Sequence, residues 1–497
     1  MLYDNFAMLT KRELLIRIVK LLKEENLVDG VKYIPVEMRP KNKRPIKCCV
    51  HKDRYILKHK IISILGFEIT DEEIDLIPLS EFAQKALDNK NTKENILSVV
   101  HEACSACMQS QYFVTNMCRG CEGRPCLMNC PKAAISFKGG KACITQEDCV
   151  GCGLCSKVCP YHAIVYTPVP CEDVCPVKAI TKGEDGTEHI DKDKCIYCGK
   201  CMQTCPYGAI MERSKVIDVY KSITAPDKKI IAIPAPAIYG QFNATPGQIL
   251  SAIKAIGFDD VVEVALGAED TSRNEAAEFL ERMEEGKPFM TTSCCPAFVN
   301  MIRKHFPRLQ ANVSTTVSPM VALSRWVREK YPQAKVVFIG PCVAKKTEQV
   351  EGGPDYVLTT EEIVAMMDAR KIDPDKMEAD PVQESSTYGK GFASSGGVTS
   401  AVMQVIQEMG EVPQVSAQRC NGAAECKKAL MMLQAGKFDM DFIEGMACEG
   451  GCMYGPGNLL NERLYTQARK KFLGEADDRG VIENAKEQGF DQIHMHR

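Results

Sequence analysis

Two runs of this chain read C-x2-C-x2-C-x3-C-P. CVGCGLCSKVCP carries Cys149, Cys152, Cys155 and Cys159, and CIYCGKCMQTCP carries Cys195, Cys198, Cys201 and Cys205. No other feature limits the fold so sharply. Three thiolates on one tight loop wrap a single [4Fe–4S] cubane, while the fourth, ahead of the proline, reaches a neighbouring cluster. A segment built this way is held together by metal ligation more than by apolar burial.

CRGCEGRPCLMNCP repeats the motif with a longer middle loop and supplies Cys118, Cys121, Cys126 and Cys130. Cross-ligation with the next motif predicts one cluster on Cys118, Cys121, Cys126 and Cys159, and a second on Cys149, Cys152, Cys155 and Cys130. CEDVCP offers only Cys171 and Cys175. By the same logic Cys175 completes a third cluster with Cys195, Cys198 and Cys201. Cys171 and Cys205 are left over, and HEACSAC upstream offers Cys104 and Cys107. These four make a fourth cluster or, as C-x-x-C pairs also do, bind zinc, with His101 as an alternative ligand. Cys48, Cys49 and Cys143 read as structural thiols. Three to four additional [4Fe–4S] clusters in a row form an electron wire.

Of the 26 cysteines, nineteen fall before residue 206. The stretch 1–15 is too polar for a secretory signal, and no later segment is long and apolar enough to span a membrane. The expectation is therefore metal ligation in the reducing cytoplasm, not a disulfide framework. With a net charge of −3 no global field argues for a nucleic-acid partner, and 45% apolar with 26% charged residues is the mix of a globular protein. At 497 residues, two to four units are expected.

Three regions emerge. Residues 1–100 form a helical, basic region. In its run RPKNKRPIKCCVHKDRYILKHK, nine Lys and Arg stand against one acid, which reads as a solvated face or as a dock for an acidic electron carrier. Residues 101–214 form a small α+β ferredoxin-like iron–sulfur region. Residues 215–497 form an α/β domain with largely parallel sheets, because KKIIAIPAPA, VVEVAL, PFMTTS, KVVFIG and FDMDFIEGMA read as buried strands between amphipathic helices. Residues 215–227 read as the linker.

TTSCCP, GPCVAKKTE and EGMACEGGCMYGPG each close a predicted strand. Parallel α/β sheets build sites at the carboxyl ends of their strands, so the three motifs suggest one converging site. Cys295, Cys342, Cys448 and Cys452 would hold one more cubane. Cys294 stays outside that set, and adjacent cysteines do not readily bridge each other.

With these motifs in their order, the sequence resembles the iron-only [FeFe] hydrogenases, across the ferredoxin-like region and essentially all of residues 228–470. The wording SCCPAF, IGPC and GCMYGP is similar to the divergent group B branch. The resemblance implies an H-cluster in the crevice between two lobes. Cys295, Cys342, Cys448 and Cys452 would bind its [4Fe–4S] part, with Cys452 bridging to a two-iron subcluster that carries CO, cyanide and an azadithiolate. It implies the reaction 2 H⁺ + 2 e⁻ ⇌ H₂, a soluble ferredoxin or similar electron carrier, and maturation proteins that build the two-iron unit. Cys294 matches the proton-relay thiol, and Glu275, Glu278, Ser314 and Arg282 match the relay beyond it. Lys345 matches a lysine that bonds a cyanide ligand, with Glu348 as its carboxylate neighbour. Ala235, Pro236 and Ala237 match a loop against the two-iron unit, and Phe392 and Met446 match its walls. The bland alternatives are concrete: Cys294 as a small buried residue, Ser272 and Glu275 as a capping box, and Glu278 with Arg282 as a surface pair. Three positions depart from the family: Gly340 stands for a methionine, Phe298 for a tryptophan, and Pro456 breaks the last glycine run. An H₂-sensing protein and a cofactor-free iron–sulfur transfer or assembly protein are the competing functions.

Overall fold

Strands buried on both faces need apolar side chains throughout, and two segments of this chain meet that demand. Ile230–Pro234 and Phe442–Met446 are buried at every position. They are the inner strands of two parallel sheets in a computed structural model. It describes residues 5–68, 76–88, 96–104, 107, 111–225, 229–349, 352–410, 415–459, 462–477, 479–487, 489–490 and 493–497. One sheet runs Asp260–Val261, Ile230–Pro234, Lys335–Ile339, Tyr356–Leu358; the other runs Met290–Thr291, Phe442–Met446, Ala417–Asn421. Helices cover both, so the architecture is mixed α/β joined to a cysteine-rich region of paired antiparallel strands. Among the described residues no helix is long and apolar enough to cross a membrane.

Four expectations are corrected. VVEVAL is a strand only as far as Val261; Val264 opens the helix Val264–Glu284, because a short apolar run does not distinguish a strand from a buried helix start. Ser272 lies inside that helix and its Oγ donates to the Ala268 carbonyl at 2.8 Å, so Ser272 and Glu275 form no capping box. The stretch read as a linker carries the helix Val216–Thr224, which buries Val216, Val219 and Tyr220 on one face. Cys48 and Cys49 are exposed, with their Sγ atoms 3.9 Å apart, so they are not buried structural thiols.

The N-terminal helices Phe6–Lys23 and Val50–Ile64 do not stand apart. Leu14, Ile18 and Ile61 share one apolar core with Ile230, Val337, Leu358 and Ile363. Lys11 donates at 2.6 Å both to Glu212, on the strand Ile210–Glu212 of the cysteine-rich region, and to Glu361, on the helix Thr360–Arg370.

The cysteine-rich region has only a small apolar cluster of its own, around Cys126, Ile135, Ala142, Cys155 and Ile164. Its local geometry repeats instead. In each C-P-x-x-A segment the alanine N–H donates to the cysteine four residues earlier. The distances are 3.3 Å at Cys130, 3.4 Å at Cys159, 3.2 Å at Cys175 and 3.4 Å at Cys205. Ala133, His162, Lys178 and Gly208 turn the chain through left-handed φ of 51°, 47°, 53° and 55° to make this possible. Such N–H···S bonds orient a thiolate ligand and stabilise its charge.

Candidate active site and electron path

The cysteines lie in several groups. Cys130, Cys149, Cys152 and Cys155 line one small cavity. Burial pushes the Cys126 thiol up, and Cys159 and Cys121 add to the effect; Cys118 packs against the apolar cluster that holds Cys126. Burial pushes Cys198 up to about 12, with Cys195 and Cys175 adding, and Cys201 lies against the same three. Burial pushes Cys171 up to about 12, helped by Glu188 and by Cys205, Cys104 and Cys107. His101 Nδ1 meets Thr187 Oγ1 at 2.9 Å. The last two of these groups lie close together, with Cys171 near Cys201, and Cys198 lies near Cys448.

At the carboxyl ends of the two sheets is a cavity of about 70 Å³. Cys294, Cys295, Cys342 and Cys452 line it with Lys345, Ala235, Pro236, Phe392 and Met446. Ala237 is not in the wall; it packs behind, against Ala393, Met453 and Tyr465. Cys448 is not in the wall but lies near Cys342, Cys452 and Cys295. Burial pushes Cys342 up to about 11 and raises Cys448 and Cys452 further, each helped by the other cysteines including Cys295. Enclosed thiols this close cannot all ionise unless a cationic group sits among them, which is the donor chemistry of an iron–sulfur cluster. The residues present therefore fit such a group.

Lys345 supplies a fixed cation at the wall. Its Nζ donates to Glu348 Oε2 at 2.6 Å and to the Cys294 carbonyl at 3.1 Å. Burial alone would lower the ammonium, but Glu348 outweighs it and the group is held above its ordinary value. Glu348 also accepts from Ser318 Oγ at 3.0 Å and from Arg497 at 3.4 Å. At the positions that depart from the resemblance, packing explains the residues. A Cβ on Gly340 would come within 3.0 Å of the Phe338 ring and of Ala235, so a methionine has no room without a shift. Phe298 lies over Gly445, where a Cβ would meet its ring at 2.3 Å. Pro456 sits against Gly199, joining the cavity domain to the loop of Cys198.

From Cys294 a row of polar groups leads outward. Burial pushes the Cys294 thiol well up, and the neighbouring Glu275 adds to this. Glu275 is fully buried; its Oε1 accepts the Ser293 N–H at 3.0 Å, and its Oε2 has no hydrogen-bond partner among the described residues. Burial raises its carboxyl to about 7, Glu278 adds, and Ser314 works the other way. Ser314 Oγ donates to Glu278 Oε2 at 2.8 Å, and Arg282 donates to Glu278 Oε1 at 2.7 Å. Burial works to raise Glu278, yet the Thr315 N–H, the Ser314 hydroxyl and Arg282 together hold it below its ordinary value.

Sequence reasoning missed two features of this site. Glu444 is buried in the strand Phe442–Met446 and accepts from Gly396 N, Thr399 N and Thr399 Oγ1 at 2.7–2.8 Å, which caps the helix Gly397–Glu408. A charge inside an apolar strand was the available signal. Cys420 and Cys426 are buried against each other behind the wall, where Cys426 Sγ approaches the Met446 carbonyl at 3.6 Å.

Strand-end cysteines around one cavity, with further groups of cysteines beside it, define an iron–sulfur protein. Residues 228–456 match the family described as Iron only hydrogenase large subunit, C-terminal domain. Residues 117–163 match a 4Fe-4S dicluster domain, and residues 165–216 an LdpA Fe-S cluster-binding domain. The chain is 30% identical over 376 residues to Iron hydrogenase 1 of Clostridium pasteurianum, across 63% of this chain and 64% of that protein. It is 31% identical over 375 residues to the Periplasmic [Fe] hydrogenase large subunit of Nitratidesulfovibrio vulgaris, across 63% of this chain and 85% of that protein. A solved structure of HydA(deltaEFG), from a study of [FeFe]-hydrogenase H-cluster assembly, is 23% identical with a TM-score of 0.48, covering 57% of this chain and 98% of that one. The chain belongs to the iron-only hydrogenase family. It spans just under two thirds of the clostridial relative's length.

Proposed function

We propose that this chain interconverts protons and H₂, 2 H⁺ + 2 e⁻ ⇌ H₂, at an H-cluster in the strand-end cavity. Electrons pass through three to four [4Fe–4S] clusters to or from a soluble ferredoxin-type carrier in the cytoplasm. One observation carries the reading: the same cavity is reached by the cysteine file on one side and by a buried acid row on the other. Cys295, Cys342, Cys448 and Cys452 would hold the cluster, and maturation proteins would supply its two-iron unit. When bound, that unit supplies the open iron site at which H₂ forms or splits.

The protein's own part is proton management and exclusion of water. Cys294 Sγ, enclosed and kept protonated by its surroundings, holds a proton at the cavity wall. Glu275, with its carboxyl raised to about 7, gives or takes a proton near neutrality without a large cost in either direction. Its Oε2, which has no hydrogen-bond partner among the described residues, is placed to do so. Glu278 is held ionised by Arg282 and the Thr315 N–H, so a proton arriving from outside is passed inward rather than stored. Lys345, fixed by Glu348, offers a cation to an anionic ligand such as cyanide.

The test is an infrared spectrum of the anaerobically matured protein, scanned for iron-bound CO and cyanide stretches, followed by H₂ turnover. Bands with turnover support the enzyme. Bands without appreciable turnover leave an H₂ sensor. Filled cubanes without bands, beside a working hydrogenase matured in parallel, would sink the reading.

A further inference from the structure

One group of metal-binding side chains is not used by the clusters. His101 opens the short helix that carries Cys104, while Asp185 and His189 belong to the hairpin Ile180–Lys182 and Glu188–Ile190. Their ligand atoms all lie within 4.8 Å of one another. His101 Nδ1 stands 3.4 Å from Asp185 Oδ2, and His189 Nε2 stands 3.2 Å from Asp185 Oδ1. Donors about 2.0–2.1 Å from a tetrahedral zinc ion are about 3.3 Å apart. Each imidazole thus already stands at the length that zinc requires from one oxygen of the carboxylate, His101 from Oδ2 and His189 from Oδ1.

Thr187 touches all three residues of the group. Thr187 holds the carboxylate through its N–H, at 3.0 Å from Oδ1, and through its hydroxyl, at 2.5 Å from Oδ2. The same hydroxyl lies 2.9 Å from His101 Nδ1 and 3.4 Å from His189 Nε2. The two imidazoles meet edge to face, with ring centroids 5.2 Å apart. Two imidazoles and one carboxylate suit a late first-row divalent ion, and lack the thiolates that iron–sulfur clusters require.

We propose that His101, Asp185 and His189 form a zinc site distinct from the cysteine clusters. Its place in the fold suggests its use. The hairpin it would pin already supports the fourth cysteine group: Glu188 N–H donates to Cys104 Sγ at 3.3 Å, and Lys182 Nζ donates to the Cys107 carbonyl at 3.2 Å. A redox-inert ion bridging His101 to the hairpin would staple the Cys104 segment without entering the electron path. The inference is independent of the hydrogen reaction.

The experiment uses the full chain with its cysteine sites loaded with iron under anaerobic conditions. Zinc is titrated against a chromophoric chelator, and the bound ion is examined by zinc K-edge absorption. The expected result is one zinc per chain with nitrogen and oxygen neighbours only. That binding should be lost in both His189→Ala and Asp185→Asn, with iron content unchanged. Asp185→Asn keeps the shape of the side chain and so covers the case in which the alanine variant fails to fold. No zinc binding by the iron-loaded protein, sulfur neighbours around the zinc, or full binding in both variants would each overturn the site.

Discussion

Cys294 and Cys295 are neighbours in the chain with unlike surroundings. Cys295 lies among Cys342, Cys448 and Cys452, while Cys294 faces Glu275 and gives its carbonyl to Lys345. Substitution should separate their roles. Cys295→Ser should lower iron content by about one cubane. Cys294→Ser should keep the iron and the infrared bands yet lose H₂ turnover by about 10²–10⁴-fold, because an alcohol is a far poorer proton donor than a thiol. Equal losses of iron in the two variants would contradict the assignment. Glu275 adds a pH signature. Its carboxyl titrates at about 7 in the fold against 4.5 when exposed. Between those values the unfolded chain has already released the proton that the folded chain still holds. The stabilisation is therefore fully present below pH 4.5 and lost as pH rises through 7. Glu275→Gln cannot ionise, and its amide oxygen can still accept the Ser293 N–H. Thermal midpoints at pH 5 and pH 8 should show the variant gaining on the wild type as pH rises, by on the order of 3 kcal/mol over the window.

At the scale of elements, the strand Phe442–Met446 and the helix Pro296–His305 approach so closely that only glycine fits between them. A Cβ at Gly445 would lie 2.3 Å from the Phe298 ring. Gly445→Ala should therefore destabilise by about 1–3 kcal/mol, and Phe298→Ala in the same chain should cost less than the sum of the two single changes. Thermal midpoints of the three variants measure that coupling. Gly445 also shows what sequence reading can reach. The cysteine groups were legible because ligand spacing is a local property of one loop, repeated with the same C-P-x-x-A turn. The strands Ile230–Pro234 and Lys335–Ile339 were legible from their apolar runs. The strand Ala417–Asn421 was not, because it lies at a sheet edge and buries only Cys420. Glu444, the closeness of Cys420 to Cys426 and the grip of Arg497 on Glu348 depend on contacts between distant segments, which no local pattern encodes.

At the scale of the whole molecule, the N-terminal helices, the cysteine-rich region and the cavity domain meet at Lys11. Its ammonium bonds Glu212 and Glu361, whose side chains are 1% and 2% exposed. Burial works to lower Lys11, but the two carboxylates outweigh it and hold it above its ordinary value. Glu361 is raised, by burial first, with Lys11 opposing and Glu212 adding. Lys11→Met keeps most of the side-chain volume and strands two buried carboxylates together. The expected cost is about 3–5 kcal/mol at pH 8, where both are forced to stay charged or to take up protons against the solvent. The sign with pH follows. Without the cation that opposes burial, Glu361 titrates further above its unfolded value, so the variant's deficit grows as pH rises through that range and shrinks as acid neutralises the carboxyl. Because Leu14 and Ile18 share a core with Val337 and Leu358, the deficit should lower one common unfolding transition rather than release the N-terminal helices alone. Calorimetry of wild type and Lys11→Met at pH 8 and pH 5.5 decides this: one transition that partly recovers in acid supports the charge account, whereas an equal deficit at both pH values would leave only lost packing.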